Sequence, residues 1–528
     1  MDIAILTAAI IIIICIMANN VSSKIGVPSL LLFLVLGMIF NKMYNFNDYI
    51  ISSNICTVTL IFIMFYGGFG TNWEFAKPVA KQAFLLSFVG TFLTSIITGL
   101  LCYLILKIDL FESMLIGSVI GSTDAASVFS ILRSKNLNLK GGLASLLELE
   151  SGSNDPMSYM LTVIFLGLIG KTIGTPLSII IMLLKQIVFA LLAAALISYL
   201  SYMVLKKVKF AINGLDTIFV FATALLSYSL SASLGGNGFL SAYIVGIVLG
   251  NCHFRNKVIL VNFFDGITGL MQMVLFFLLG LLSTPQNILP AAKTAIPVVL
   301  FITFIARPIA VAILLTPFKV GFKKQLLVMW AGLRGAASIA FAIFVMGSQT
   351  EGINYDVFHI VFFLAITSIL FQGTFLPIIA RKLDLVDSNE NVLKTFNDYV
   401  DDSDMQLIQI TIPPSHHWVG RQIKDIEFPE ESIVVTIERG ESTVIPNGNT
   451  TIEKGDIVIL NAKRTKYYDI NLKEIIINSR HPWKDKELKD LHLAKNNLVV
   501  MIKRDGGTII PRGNTTIKQN DIVLLREV

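Results

Sequence analysis

Charge is scarce in this chain. Of 528 residues only 15% are Asp, Glu, Lys or Arg, while 54% are hydrophobic and the mean hydropathy is +0.71. That shortage excludes an ordinary soluble protein, and the long apolar runs point to a polytopic membrane protein. Histidine is rare too, six in all. Within the apolar runs only His359 occurs, so an intramembrane enzyme would lack both its base and its metal ligands. The adjacent pair His416-His417 reads as a loop turn. The four cysteines (Cys15, Cys56, Cys102, Cys252) lie in or beside apolar segments without metal-ligand spacing, and read as small buried hydrophobes. No Thr-Val-Gly-Tyr-Gly filter lies between short pore helices, which argues against a gated cation channel. The net charge of +6 is no nucleic-acid signal, because the basic residues sit in loops between apolar runs.

What is present is a succession of bilayer-length segments. A membrane-thickness window places helices near 2–19, 27–41, 50–70, 82–106, 111–132, 142–169, 176–205, 214–234, 237–250, 258–282, 293–316, 322–347 and 354–380. The first segment has only Asp2 before it, unlike the basic start of a cleaved signal, and is expected to be a span. Alternate loops are lopsided in charge. One set carries Lys24, Lys77, Lys81, Arg133, Lys135, Lys140, Lys206, Lys207, Lys209, Arg255, Lys257, Lys319, Lys323, Lys324, Arg381 and Lys382. The other holds Lys42, Lys107, Lys171 and Lys293 with several acids. The basic set and the C-terminus are therefore expected in the cytoplasm of a plasma membrane, with the N-terminus outside.

The stretch from Gly117 to Met160 runs against this apolar background. It holds Gly121-Ser-Thr-Asp124-Ala-Ala-Ser127 and Glu148-Leu-Glu150-Ser151-Gly-Ser-Asn154-Asp155-Pro156. An ionisable group at mid-membrane costs about 2.5–3.5 kcal/mol on insertion scales, so it usually faces a polar cavity and acts there. On a helix, Ser151 and Asp155 share a face, as do Glu150 and Asn154. Pro156 has no N–H, which frees the carbonyl of Gly152. Asp124 lies among small residues that tolerate an unwound backbone beside a cavity. Asp124, Thr123, Ser151, Asn154 and Asp155 are thus candidates to converge on one monovalent cation. Glu150 needs a buried counter-ion, with Arg334 the first choice and Arg307 the second. Asp155 is then left to bind a proton or a cation, never both.

Two internal repeats frame the organisation. Gly121-Ser-Thr-Asp124-Ala-Ala-Ser127 on the fifth span is echoed by Gly332-Leu-Arg334-Gly-Ala-Ala-Ser338 on the twelfth, which runs the opposite way. Short or broken segments at matching places in two halves are the sign of an inverted-repeat transporter. After an acidic, polar linker at 384–404, the tail repeats itself at a 65-residue offset: Ile445-Pro-Asn-Gly448 against Ile510-Pro-Arg-Gly513, and Asp456-Ile-Val-Ile-Leu460 against Asp521-Ile-Val-Leu-Leu525. The boundaries are 1–383 for the membrane domain, then 405–464 and 465–528 for two small α+β copies, each too small to bury much core alone.

The motifs at 121–130, 150–156 and 332–336 resemble those of the monovalent cation/proton antiporters of the CPA1 class, and within it the NhaP2/CvrA-type potassium/proton branch. The tail resembles two tandem RCK_C (TrkA-C) domains, without the Rossmann half that a Gly-x-Gly-x-x-Gly after a soluble strand would mark. The resemblance implies an NhaA/NhaP-like fold and a bacterial plasma-membrane homodimer surrounded by lipid, held together through the membrane part and the RCK_C domains. It also implies electroneutral exchange of K+ or Na+ for H+ by an elevator-like movement, and no enzyme chemistry. By that resemblance Asp155 carries the cation or proton, Asp124 helps bind it, and Glu150 pairs with Arg334. No cofactor beyond the transported ions is expected. The tail would sense a small ligand, with cyclic di-AMP or another small nucleotide the candidate. One departure stands out. Many relatives carry an acid on the third span before a Gly pair, and this chain reads Phe65-Tyr66-Gly67-Gly68.

Overall fold

The computed structural model describes residues 2–25, 29–44, 46–135, 137–208, 214–252, 257–387, 405–414, 416–428, 432–440, 442–463, 472–478, 481–491, 498–504, 507–509 and 511–526. Most of the expected linker 384–404, and the expected loop residues Lys209 and Arg255, lie outside these. The chain divides into two compact units, Met1–Asp401 and Asp402–Val528.

The first unit is helical. Among the described residues, seven helices are long and apolar enough to cross a membrane: Tyr49–Phe69, Ala80–Leu106, Pro176–Lys207, Leu215–Ser233, Ile259–Leu282, Gln286–Phe318 and Val357–Lys382. Shorter apolar helices, and the acid-bearing helix Leu143–Ile169, fill the remaining expected spans. The eleventh span begins earlier than expected. Thr284 precedes it and Pro285 opens it, a position where a missing N–H costs nothing. With little hydrophobic drive between helices in lipid, close backbone contact matters more. Helices Tyr49–Phe69 and Gly238–Gly250 touch through a reciprocal glycine pair. A Cβ on Gly68 would lie 2.1 Å from the Tyr243 carbonyl oxygen, and one on Gly246 would lie 2.1 Å from that of Phe65.

Two spans are broken where the small-residue motifs predict. The fifth is helical over Leu110–Val119 and again over Ala125–Ser134, and the twelfth over Phe322–Trp330 and Ala336–Gly347. The breaks meet: the Asp124 N–H donates to the Leu333 carbonyl at 2.8 Å. Helix Leu143–Ile169, by contrast, continues through Pro156. On leaving the last helix, the chain forms a short antiparallel ladder, Val386–Asp387 against Asn138–Leu139. The Lys140 N–H donates to the Leu385 carbonyl at 2.9 Å. Leu137, Leu139 and Leu385 are buried in one cluster with Leu143 and Leu146, so the ladder has its own hydrophobic anchor.

The second unit holds two four-stranded antiparallel sheets. The strands Met405–Thr411, Ile457–Lys463, Ile433–Arg439 and Ser442–Val444 lie in that spatial order. The strands Leu472–Ile476, Ile522–Arg526, Leu498–Arg504 and Gly507–Ile509 repeat it. Each core is small and includes Trp418 or Trp483. In each copy a fully buried aspartate is gripped by an arginine fork. Arg439 Nε and Nη2 donate to Asp456 at 2.8 Å each, and Arg504 Nε and Nη2 to Asp521 at 2.7 Å each. Burial works to raise the Asp456 and Asp521 pKa, but the fork and the Glu453 and Lys518 N–H donors hold both below the usual value.

These lowered carboxylates stabilise their sheets above the unfolded-state pKa of roughly 4, and that stabilisation is lost as pH falls through the lowered folded value. Hydrogen exchange over 433–460 and 498–525 in the full chain is therefore expected to stay slow at pH 5 and to accelerate only below about pH 4. Asp456→Asn should raise exchange at neutral pH in the first copy alone.

Candidate functional site

Helix Leu143–Ile169 lays its polar face along the first break. The Ser122 hydroxyl donates to Asp155 Oδ1. Ser151 Oγ donates to the Thr123 carbonyl at 2.7 Å and accepts the Ala125 N–H at 2.8 Å. Asn154 Nδ2 donates to Thr123 Oγ1 at 2.6 Å. Side chains of one helix thus supply partners that the broken helix lost from its own backbone. Asp124 caps the second half-helix, accepting the Ser127 N–H at 3.2 Å and its hydroxyl at 2.6 Å.

Thr123, Asp124, Ser151 and Asp155 line one cavity of about 460 Å³. Asn154 does not. It is fully buried, and its amide is occupied in holding Thr123. Asn154, expected from the sequence as a ligand, stands behind Thr123 and off the cavity wall. Gly152 also lines the cavity. Gly335 is there for want of space: a Cβ would lie 1.8 Å from Asp124 Oδ2.

The expected Glu150–Arg334 pair is not formed. Glu150 Oε1 accepts from Arg307 Nη1 at 2.5 Å, with both side chains at most 4% exposed. Arg334 Nη1 donates to the carbonyls of Gly121 and Ser122 at 2.6 and 2.5 Å. The reason is positional. Arg334 sits in one break and faces the other, where the carbonyls just after helix Leu110–Val119 have no helical donors and carry the negative end of its dipole. Glu150 lies about 7.5 Å further along its helix from Asp155. Its own carbonyl accepts the Ser87 hydroxyl at 2.9 Å. The second-choice arginine of the sequence is the partner.

Among the cavity-wall residues that went unassigned in the sequence are Asp265 and Thr268 on helix Lys257–Leu282. The signal existed: Asp265 is a lone carboxylate in the apolar run 258–282. Tyr66, where the resemblance implies an acid, donates its hydroxyl to Asp265 Oδ1 at 3.2 Å.

A model described as "Sodium/hydrogen exchanger, transmembrane" matches residues 8–382. The chain belongs to the sodium/hydrogen exchanger family. In the tail, the TrkA-C domain model matches the exchanger twice, at 407–467 and 472–526. The exchanger is 30% identical over 479 residues to the K(+)/H(+) antiporter NhaP of Alkalimonas amylolytica, covering 89% of this chain and 83% of the relative. It is 32% identical over 467 residues to the K(+)/H(+) antiporter NhaP2 of Shewanella oneidensis, covering 86% and 80%. Its fold matches the structure of the sodium proton antiporter MjNhaP1 from Methanocaldococcus jannaschii with a TM-score of 0.64 at 21% identity, over 72% of this chain and 99% of that one. The exchanger is a multi-pass membrane transporter, not an enzyme.

Removing one partner of a buried ion pair costs about 3–5 kcal/mol, because the other charge stays behind. Arg307→Gln is therefore expected to lower the thermal stability of the solubilised exchanger sharply, and Glu150→Gln/Arg307→Gln to recover much of the loss. Gly335→Ala should abolish exchange in liposomes, since Asp124 must leave its position.

Proposed function

We propose that the exchanger moves K+, or alternatively Na+, against H+ by alternating access, with cation and proton competing for Asp155. One contrast carries the reading. Both Glu150 and Asp155 are buried, yet Glu150 has Arg307, while among the described residues no lysine or arginine pairs with Asp155. A carboxylate cannot remain charged and uncompensated in such surroundings, so Asp155 holds either a proton or a cation. The hydroxyls of Ser122, Thr123 and Ser151 and the second carboxylate of Asp124 supply the hard oxygens that K+ or Na+ prefers. The two K(+)/H(+) antiporters named above support K+ as the ion.

Asp124, Thr123, Ser151 and Asp155 are the binding residues in this reading, Asn154 orients Thr123, and Arg307–Glu150 and Arg334 hold the scaffold. The basic loops and the tail face the cytoplasm, as their charge bias supports, and the protein works as a homodimer. The TrkA-C pair regulates exchange on binding a small ligand, a small nucleotide such as cyclic di-AMP being the candidate. Its tether pairs with the Asn138–Leu139 segment, which joins the Asp124 half-helix to the Asp155 helix, and that is the route by which a pull on the tail reaches the site.

In proteoliposomes, a K+ gradient should drive an opposing proton flux without net current, and the half-saturating K+ concentration should rise as pH falls. Asp155→Asn should eliminate the flux. Lys140→Pro, which removes the N–H that donates to the Leu385 carbonyl beside the tether ladder, should leave basal exchange and uncouple it from the tail. Current through the parent protein, or exchange surviving in Asp155→Asn, would reject the proposal.

A further inference from the structure

The cavity that holds Asp155 has a second polar wall. Asp265, Thr268 and Gln272 recur at intervals of three and four on helix Lys257–Leu282, so they lie on one face, and all three line the cavity. Tyr66, from helix Tyr49–Phe69, fixes Asp265 through its hydroxyl at 3.2 Å. Thr268 is the telling residue. It is 9% exposed, and its hydroxyl has no hydrogen-bond partner among the described residues. Leaving a buried hydroxyl unsatisfied costs about 1–3 kcal/mol. An apolar residue would be the cheaper occupant of that position if the wall were only structural.

We infer that Asp265 and Thr268 form a second oxygen site for the transported monovalent cation, distinct from the site at Asp155. The inference rests on the antiport reading above and names a subsite within it. A carboxylate oxygen and a hydroxyl oxygen one helical turn apart match the preference of K+ and Na+ for hard oxygen donors. The cation waits here, its charge balanced by Asp265, until Asp155 gives up its proton. Tyr66 keeps Asp265 oriented, and Thr268 replaces one water of the hydration shell. The site therefore controls how easily the cation is captured, not how many protons are exchanged for it.

The test is steady-state exchange in proteoliposomes made with the full chain. Asp265→Asn is expected to raise the half-saturating cation concentration about tenfold, the equivalent of about 1.4 kcal/mol of lost affinity, with the maximal rate within about twofold of the parent. Asp265→Glu should restore most of the affinity. Thr268→Val gives the reading that a structural role would not: thermal stability unchanged or raised, because an unsatisfied hydroxyl is removed, with cation affinity lowered. Parent-like half-saturation in both Asp265→Asn and Thr268→Val would overturn the site while leaving antiport intact. Liposomes of the unmodified protein that show no exchange would overturn the antiport reading and this site with it. A readout independent of transport is the rise in melting temperature produced by K+ or Na+. It should persist in Asp155→Asn and vanish in Asp155→Asn/Asp265→Asn. Its absence from Asp155→Asn also counts against a second site.

Discussion

A negative charge inside a membrane protein needs company. The desolvation of an isolated carboxylate exceeds what packing can offset, so each buried acid must find a cation, gather donors or take up a proton. This chain sets the first solution beside a carboxylate that, among the described residues, has no basic partner. Glu150 has a buried arginine partner in Arg307. Asp155, five residues on, accepts from the Ser122 hydroxyl and has no basic partner among the described residues, and in the proposed mechanism its occupancy is exchangeable. The remainder of the membrane unit can be understood as the means of keeping those two carboxylates in different circumstances.

The crossed breaks are the main device. Unwinding two helices at membrane depth exposes backbone groups that lipid cannot satisfy. The structure meets this with side chains from neighbouring elements: Arg334 on the carbonyls of Gly121 and Ser122, Ser151 on Thr123 and Ala125, and Asn154 on Thr123. Gly335 admits the Asp124 carboxyl against the opposite break. Each of these contacts belongs to the scaffold of the site, and each also rigidifies the frame around Asp155.

Much of this was legible in the sequence, for physical reasons. The apolar periods, the lopsided loop charge, the paired small-residue motifs and the 65-residue tail repeat all follow from local composition. So did the grouping of Asp124, Thr123, Ser151 and Asp155, because helical spacing and an unwound motif constrain where they point. Pairing choices were less legible. Whether Glu150 meets Arg307 or Arg334 depends on which helix packs beside which, and the two arginines are chemically alike in the sequence. Asp265 is instructive in another way: its isolation in an apolar run marked it, but only the fold shows that its helix borders the same cavity as Asp155. The Tyr66 contact with Asp265 is a tertiary fact of the same kind.

The central claim, that one acid is shared in turn by a proton and a cation, is tested most directly without transport. Cation binding to the solubilised protein can be followed by calorimetry in buffers of different ionisation heat, which counts protons released per cation bound. The account predicts proton release on K+ or Na+ binding near the pH at which Asp155 is still protonated, and its disappearance in Asp155→Asn. Cation binding that releases no protons at any pH, or release that is unchanged in Asp155→Asn, would contradict it.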